Sequence, residues 1–399
     1  MRLGNKQRVA LCLGGGGIKA AAFHVGACLA LQEKGFLFTG GSKAEVAKQV
    51  SASENKIPIQ VYLGSSAGAI ISSYLASGYS VDTLIQSFGM GSEMAPSKDS
   101  PSGYLRPLGY KDIYQLNSSG LMNFLPKTFF KKPNVIGGLE VLLKSGFKVN
   151  GMFNTSGIEK YLREEALPAN RFEQLGVDLY IIATQLNHTR KVVFGNFEQS
   201  KKHEHIKWIN YANISEAVAA STALPPVFAP YPVKRPDGKE IYYFDGEIRD
   251  TLSSHVAEDT GSDLVIASYS LQPYHFNKEM GSLHEYGIPV IINQALYQVV
   301  HQKIYRFIRE KKKFKEMTED IQNYFKQNNL PEEHAKKLVE MFCDKFEHKT
   351  NVDYIYLHPS PQDHELFFMD HFSFNPKILG KILKIGFLSA IRCLREYGI

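Results

Sequence analysis

Ile59-Gln60-Val61-Tyr62-Leu63-Gly64-Ser65-Ser66-Ala67-Gly68 reads as an apolar strand that runs into a sharp turn with a serine at its centre. The small apolar residues from Ala69 to Ala76 then open a helix. Strand, turn and helix in that order make a nucleophile elbow of the Gly-x-Ser-x-Gly type, in which the hydroxyl of Ser66 projects from the fold. The flanking glycines let the chain pass close by without Cβ clashes. The helix start aims N–H groups at any negative charge forming near the serine. The same residues also suit an ordinary strand–helix turn of a parallel sheet, where glycine and serine serve as turn and cap residues. The pentad alone does not separate these readings.

Outward from the elbow, strands and helices alternate. Val9-Ala10-Leu11-Cys12-Leu13 reads as a buried first strand, followed at once by Gly14-Gly15-Gly16-Gly17 and a helix from about Ile18 to Glu33 that Gly35 stops. Downstream, strands are expected at Leu179–Ala183, Lys191–Phe194, Tyr242–Phe244, Asp263–Ala267 and Tyr354–Leu357. A helix from Ser215 to Thr222 ends before Pro225-Pro226. Residues 91–150, rich in Gly, Pro, Ser, Phe and Lys, read as cap or lid loops, and residues 284–349 as charged helix. A basic amphipathic helix closes the chain, with Ile378, Leu379, Ile382, Leu383, Ile385 and Leu388 on one broad face. A helix so placed is expected to pack on the sheet rather than on a membrane. Together these features predict an α/β fold with a mainly parallel central sheet sandwiched by helices. The expected organisation is one catalytic unit over 8–275 plus 350–399, capped by 91–150 and interrupted by a helical insertion at 276–349.

Composition narrows the function. A chain of 399 residues with 44% apolar content can build one large α/β domain or two smaller ones. Cys12, Cys28, Cys343 and Cys393 are far apart and form no Cys-x-x-Cys pattern, which suggests buried thiols in a reducing compartment and no zinc site. The N-terminus carries no signal-peptide pattern and no run of eighteen apolar residues occurs, so a cytoplasmic chain is expected. The net charge of +6 suits an anionic membrane surface, whereas nucleic acid would need a denser basic stripe.

Ester hydrolysis through serine needs a hydroxyl, a base and donors for the oxyanion. Ser66 is the candidate nucleophile. The glycine run is suited to the donor role, because glycine lets several backbone N–H groups converge on one oxygen. Gly15-Gly16-Gly17-Ile18-Lys19-Ala20 also fits the dinucleotide pattern Gly-x-Gly-x-x-Ala. That reading wants an acid at the end of the second strand, and the acid at roughly the right distance, Glu33, falls in the first helix. No Gly-Lys-Ser/Thr follows, which excludes an ATPase-type phosphate loop. The base stays open on residue types alone. The histidines from His188 to His371 sit in no distinctive loop motif, and Asp245-Gly246 is equally a common turn dipeptide.

Gly-Gly-Gly-Ile-Lys at the first strand end, Gly-Ser-Ser-Ala-Gly about fifty residues later and Asp-Gly after a further large gap occur in the order that resembles the patatin-like phospholipase family. Ala220–Phe228, the strand Asp263–Ala267 and Phe372–Pro376 are similar to further segments of that family. The resemblance implies a Ser–Asp dyad without a catalytic histidine. Ser66 would be the nucleophile, Asp245 the base, and the amides of Gly15, Gly16 and Gly17 the oxyanion hole, with no cofactor and no metal. Lys19 stands at the family's basic position, either as a solvated first-turn side chain or as a substrate contact. Two residues depart from the pattern: Ala20 replaces a glycine, and Glu247 replaces a small residue after Asp-Gly. Glu247 is expected either to raise the Asp245 pKa or to point to solvent.

The implied activity is acyl-ester hydrolysis of phospholipids, lysophospholipids or glycerides. An acyltransferase on the same scaffold and a non-catalytic lipid- or nucleotide-binding protein are the alternatives. Residues 121–132 interleave Leu121, Phe124, Phe129 and Phe130 with lysines, a composition suited to peripheral contact with a lipid surface.

Overall fold

The computed structural model describes residues 6–53, 55–90, 105–117, 150–197, 206–249, 251–346, 349 and 351–399. The 121–132 segment lies outside the described residues, as does the 91–150 cap apart from 105–117 and Asn150.

Apolar runs flanked by glycine make the central strands. In chain order the strands are β1 (Val9–Leu13), β2 (Phe36–Phe38), β3 (Ile57–Ser65), β4 (Gln115–Leu116), β5 (Phe153–Asn154) and β6 (Asp178–Gln185). They continue as β7 (Lys191–Phe194), β8 (Ile206–Ile209), β9 (Tyr231–Lys234), β10 (Glu240–Asp245), β11 (Leu264–Ser268) and β12 (Asp353–Leu357). The α-helices are α1 (Gly17–Glu33), α2 (Lys43–Ser51), α3 (Ala67–Ala76), α4 (Val81–Ser87), α5 (Tyr110–Ile113) and α6 (Ser156–Tyr161). They continue as α7 (Ile214–Ser221), α8 (Ser254–Asp259), α9 (Ile288–Gln327), α10 (Glu332–Phe346), α11 (His364–Phe368) and α12 (Pro376–Glu396).

The sheet runs β12-β11-β1-β3-β6 with every pair parallel. Antiparallel β10 and β9 extend it, and β7 pairs antiparallel with β6. Alternate residues of one strand enter different cores. Val9, Leu11 and Leu13 pack with α1, α3 and α12, whereas Ala10 and Cys12 pack with Val256 of α8 and Ile304 of α9. Helices therefore cover both faces, which is why the strands read as unbroken apolar runs.

The register around β6 builds the site. β7 occupies one edge of β6 over Ile181–Thr184. On the other edge β3 ends with Ser65 opposite Ile182, and β10 ends with Asp245 opposite Ala183. The carboxyl ends of β3 and β10 thus meet head on at adjacent register positions, which brings residues 66 and 245 together across a large sequence gap.

The closing helix α12 packs mainly on α1 rather than directly on the sheet as expected. Gly26 and Gly386 mark the crossing: a Cβ on Gly26 would meet the Leu383 carbonyl oxygen at 2.1 Å, and one on Gly386 the Phe23 carbonyl oxygen at 2.3 Å. Cys12, Cys28 and Cys393 are buried, but Cys343 is only half-buried.

Candidate active site

Ser66 occupies the turn between β3 and α3 with φ 53° and ψ −121°, a conformation a side chain holds only when its surroundings impose it. The imposed contacts are visible. Gly68 lies so close to β1 that a Cβ there would meet the Leu13 carbonyl oxygen at 2.0 Å. The Ser66 amide donates to the Ser221 hydroxyl at 2.8 Å, and that hydroxyl donates to the Ile182 carbonyl at 2.6 Å. Ser221, from the end of α7, therefore ties the elbow to β6.

Asp245 is 2% exposed and Ser66 is 7% exposed. The Ser66 hydroxyl lies beside the Asp245 carboxylate, close enough to lower its pKa. The Glu247 amide donates to Asp245 Oδ1 at 2.9 Å. Burial raises the Asp245 pKa to about 6, and the Glu247 amide and the neighbouring Ser66 hydroxyl oppose the rise. Among the described residues no histidine hydrogen-bonds Ser66.

The glycine turn lies against the elbow. The Gly14 amide donates to the Ser268 carbonyl at 3.0 Å, while Gly16 and Gly17 take positive φ of 133° and 70°. The Gly15 amide is already occupied: it donates to Glu247 Oε1 at 2.8 Å. Glu247 is buried and does not point to solvent. Burial first, and the Asp245 charge second, raise its pKa to about 7, against the hydrogen bond from the Gly15 amide. Of the two positions expected of Glu247, the structure shows the one beside Asp245, where the two carboxylates disfavour each other's charge. Ala20 is fully buried, 3.0 Å from where a Cβ on Gly16 would sit.

Lys19 matches neither expected role. It is fully buried, and its ammonium donates to the Tyr297 hydroxyl and the Leu366 carbonyl, each at 3.0 Å, with His371 Nε2 at 3.5 Å. His371 in turn accepts the Lys19 amide on its carbonyl at 3.2 Å and places Nδ1 3.3 Å from the Gly16 carbonyl. On the other side His24 lies 2.8 Å from the Gly14 carbonyl and 2.9 Å from the Ser268 hydroxyl. Burial pushes the pKa of both histidines down to about 4, which leaves them neutral at pH 7. The turn is therefore clamped by His24 and by the Lys19–Tyr297–His371 cluster. Sequence reading missed His24 and Tyr297, which stand in no motif, and the role of Ser221, which lies within the family-like segment Ala220–Phe228.

An apolar cavity of about 840 Å³, counting its open side, begins at Ser66. Ile18, Ile70, Phe88, Leu108, Leu224 and Phe374 line it, together with Tyr74 and Tyr161. Among the described residues no group of three or more His, Cys, Asp or Glu is placed to hold a metal ion. No helix among them is long and apolar enough to cross a membrane.

The model of the family described as patatin-like phospholipase matches residues 11–257, more than half of the chain, and takes in the glycine turn, the elbow and Asp245. The chain belongs to the patatin-like phospholipase family. No curated protein matches it. Among solved structures, the patatin-like fold here is similar to VipD from Legionella pneumophila at 14% identity, covering 98% of this chain and 67% of that one, with a TM-score of 0.38.

Proposed function

We propose that the protein is a serine lipid acyl hydrolase that cleaves carboxylic ester bonds of phospholipids, lysophospholipids or glycerides. Family membership supports a lipid hydrolase type of activity. The observation that carries the finer reading is the juxtaposition of Ser66 and Asp245 at abutting strand ends, at the head of the apolar cavity.

The steps follow from the residues. Asp245, ionised above about pH 6, takes the Ser66 proton as the hydroxyl oxygen attacks the ester carbonyl. The acyl chain lies in the cavity, where apolar walls replace water. The developing oxyanion faces the glycine turn, whose Gly16 and Gly17 amides make no hydrogen bond among the described residues. Asp245 returns the proton to the leaving alcohol, which leaves the acyl group on Ser66 and the base ready to activate water. His24 and the Lys19 cluster act by holding the turn, not by touching substrate. Contact of 121–132 with the lipid surface belongs to this proposal, as does the reading of 8–275 plus 350–399 as one catalytic unit.

The test is fluorophosphonate labelling with product analysis on a lipid panel. Labelling and free fatty acid release are expected from the intact chain, and both are expected to vanish in Ser66→Ala. Labelling that survives this substitution, or acyl transfer to an added alcohol without any hydrolysis in its absence, would contradict the reading.

A further inference from the structure

The Gly15 amide, one of the donors expected to meet the oxyanion, is held by a carboxylate of the same chain. A Cβ placed on Gly15 would lie 2.5 Å from Glu247 Cγ and 2.9 Å from Ser66 Cβ, so the two side chains flank the same point. Only glycine leaves room for this packing. Glu247 has little freedom to withdraw: it sits in the 3-10 turn Gly246–Ile248, its own amide is held by Asp245 Oδ1, and a Cβ on Gly246 would meet the Ile182 carbonyl at 2.5 Å. Glu247 Oε2 is buried and makes no hydrogen bond.

The charged and titratable groups facing Glu247 are few. Asp245 faces it from its own turn and Lys191 of β7 feels its charge; Arg249 and Asp259 act on Lys191 in turn, and His255 of α8 lies 2.8 Å from the Lys191 ammonium. Burial holds the Lys191 pKa well below the ordinary lysine value, so Lys191 is a weak counter-charge. The glycine turn offers only amides, and neutral His24 stands behind Gly14. Two carboxylates thus share a site with little positive charge, a situation in which one keeps its proton.

We propose that Glu247 is a proton-controlled gate on the oxyanion hole of the hydrolase described above. Ionised, it holds the Gly15 amide and sets a negative charge where the substrate oxyanion must form. Protonated on Oε2, it no longer opposes that charge, and Oε2–H points a donor into the same space while Oε1 keeps the Gly15 amide. A carboxylic acid kept neutral in an apolar oxyanion hole is an established physical device in another enzyme class. The proton stays on Glu247 throughout; the proton taken from Ser66 passes through Asp245 to the leaving group. The gate and the base oppose each other, so activity is confined to the interval between the Asp245 and Glu247 titrations. Burial raises the Asp245 pKa to about 6 and the Glu247 pKa to about 7, which places that interval just below neutral pH.

This inference rests on the Ser66–Asp245 reading, and its test separates the two. Hydrolysis of a short soluble ester is measured from pH 5 to 9 for the natural chain and for Glu247→Gln. The natural chain is expected to lose about tenfold in kcat/KM for each pH unit above the gate. Glu247→Gln is expected to abolish that falling limb, raising the ratio of activity at pH 8 to activity at pH 6 by about tenfold, while the rising limb set by Asp245 stays. A falling limb unchanged in Glu247→Gln, or equal loss at every pH, overturns the gate. A second readout needs no turnover: infrared difference spectra of the natural chain against Glu247→Gln, recorded across the same pH range. A protonated-carboxyl stretch present at pH 6 and lost by pH 8 is expected. Its absence at pH 6 overturns the gate even if Ser66 and Asp245 behave as proposed.

Discussion

Helices α1 and α9 show two ways of fastening a helix to one sheet. α1 is small and apolar, and Ala20, Ala22, Ala27 and Ala30 let it sink between the sheet and α12 until 13 of its 17 residues are buried. α9 runs forty residues and keeps much of its aliphatic surface outside, with Ile288 71% and Leu296 60% exposed. It is held at a few points: Tyr297 on Lys19, Ile304 in the second core, and Lys311 paired with buried Glu258 at 2.6 Å. Dense packing places the glycine turn that α1 begins with, whereas α9 contributes one polar anchor to that turn and otherwise rides on the surface. Sensitivity to substitution should therefore follow the kind of fastening and not proximity to Ser66.

The largest effect is expected at the α1–α12 crossing. Gly26→Ala puts a methyl 2.1 Å from the Leu383 carbonyl, where neither backbone can give. A loss of about 3 kcal/mol or more in urea unfolding is expected, since overpacking a tight core has this scale. Next is the anchor between the two helices. Lys19→Met leaves the Tyr297 hydroxyl and the Leu366 carbonyl without their donor and should cost about 2 kcal/mol. It should also flatten a pH dependence. Burial lowers the Lys19 pKa to about 7, so between that value and the unfolded lysine value the unfolded chain binds a proton that the folded chain does not. Native stability then rises with pH in that interval, and the rise should shrink in Lys19→Met. The smallest effect is expected on the outer face of α9: Leu296→Asn should change the unfolding free energy by no more than about 0.5 kcal/mol at unchanged slope. A severe loss from Leu296→Asn, or a mild one from Gly26→Ala, would break the contrast.

What could be read in the sequence follows the same division. β1, β3, α1 and α3 were legible because each is a local apolar run ended by glycine, and the structure places them within a few residues of the expected bounds. β2, β8 and β9 carry no such signal: they are three or four residues long and lie at the sheet's margins. The pairing of Ser66 with Asp245 was legible only through the order of motifs, because Asp-Gly alone is a turn. Its physical basis, two strand ends abutting on one edge of β6, is a matter of register that no local pattern records. Lys19 stayed open between a solvated side chain and a substrate contact because its burial is supplied by Tyr297, Leu366 and His371 from the far end of the chain. Glu247 was noticed as a departure from the family, but its hold on Gly15 spans 232 residues of sequence.

The most direct test of the dyad is the rate at which fluorophosphonate labels Ser66 in Asp245→Asn, measured beside the unfolding curve of that variant. Labelling about a thousandfold slower in a chain that still folds is the expected result, because asparagine keeps the shape but cannot take the proton. Labelling at the natural rate, with a histidine substitution stopping it instead, would contradict the Ser66–Asp245 mechanism.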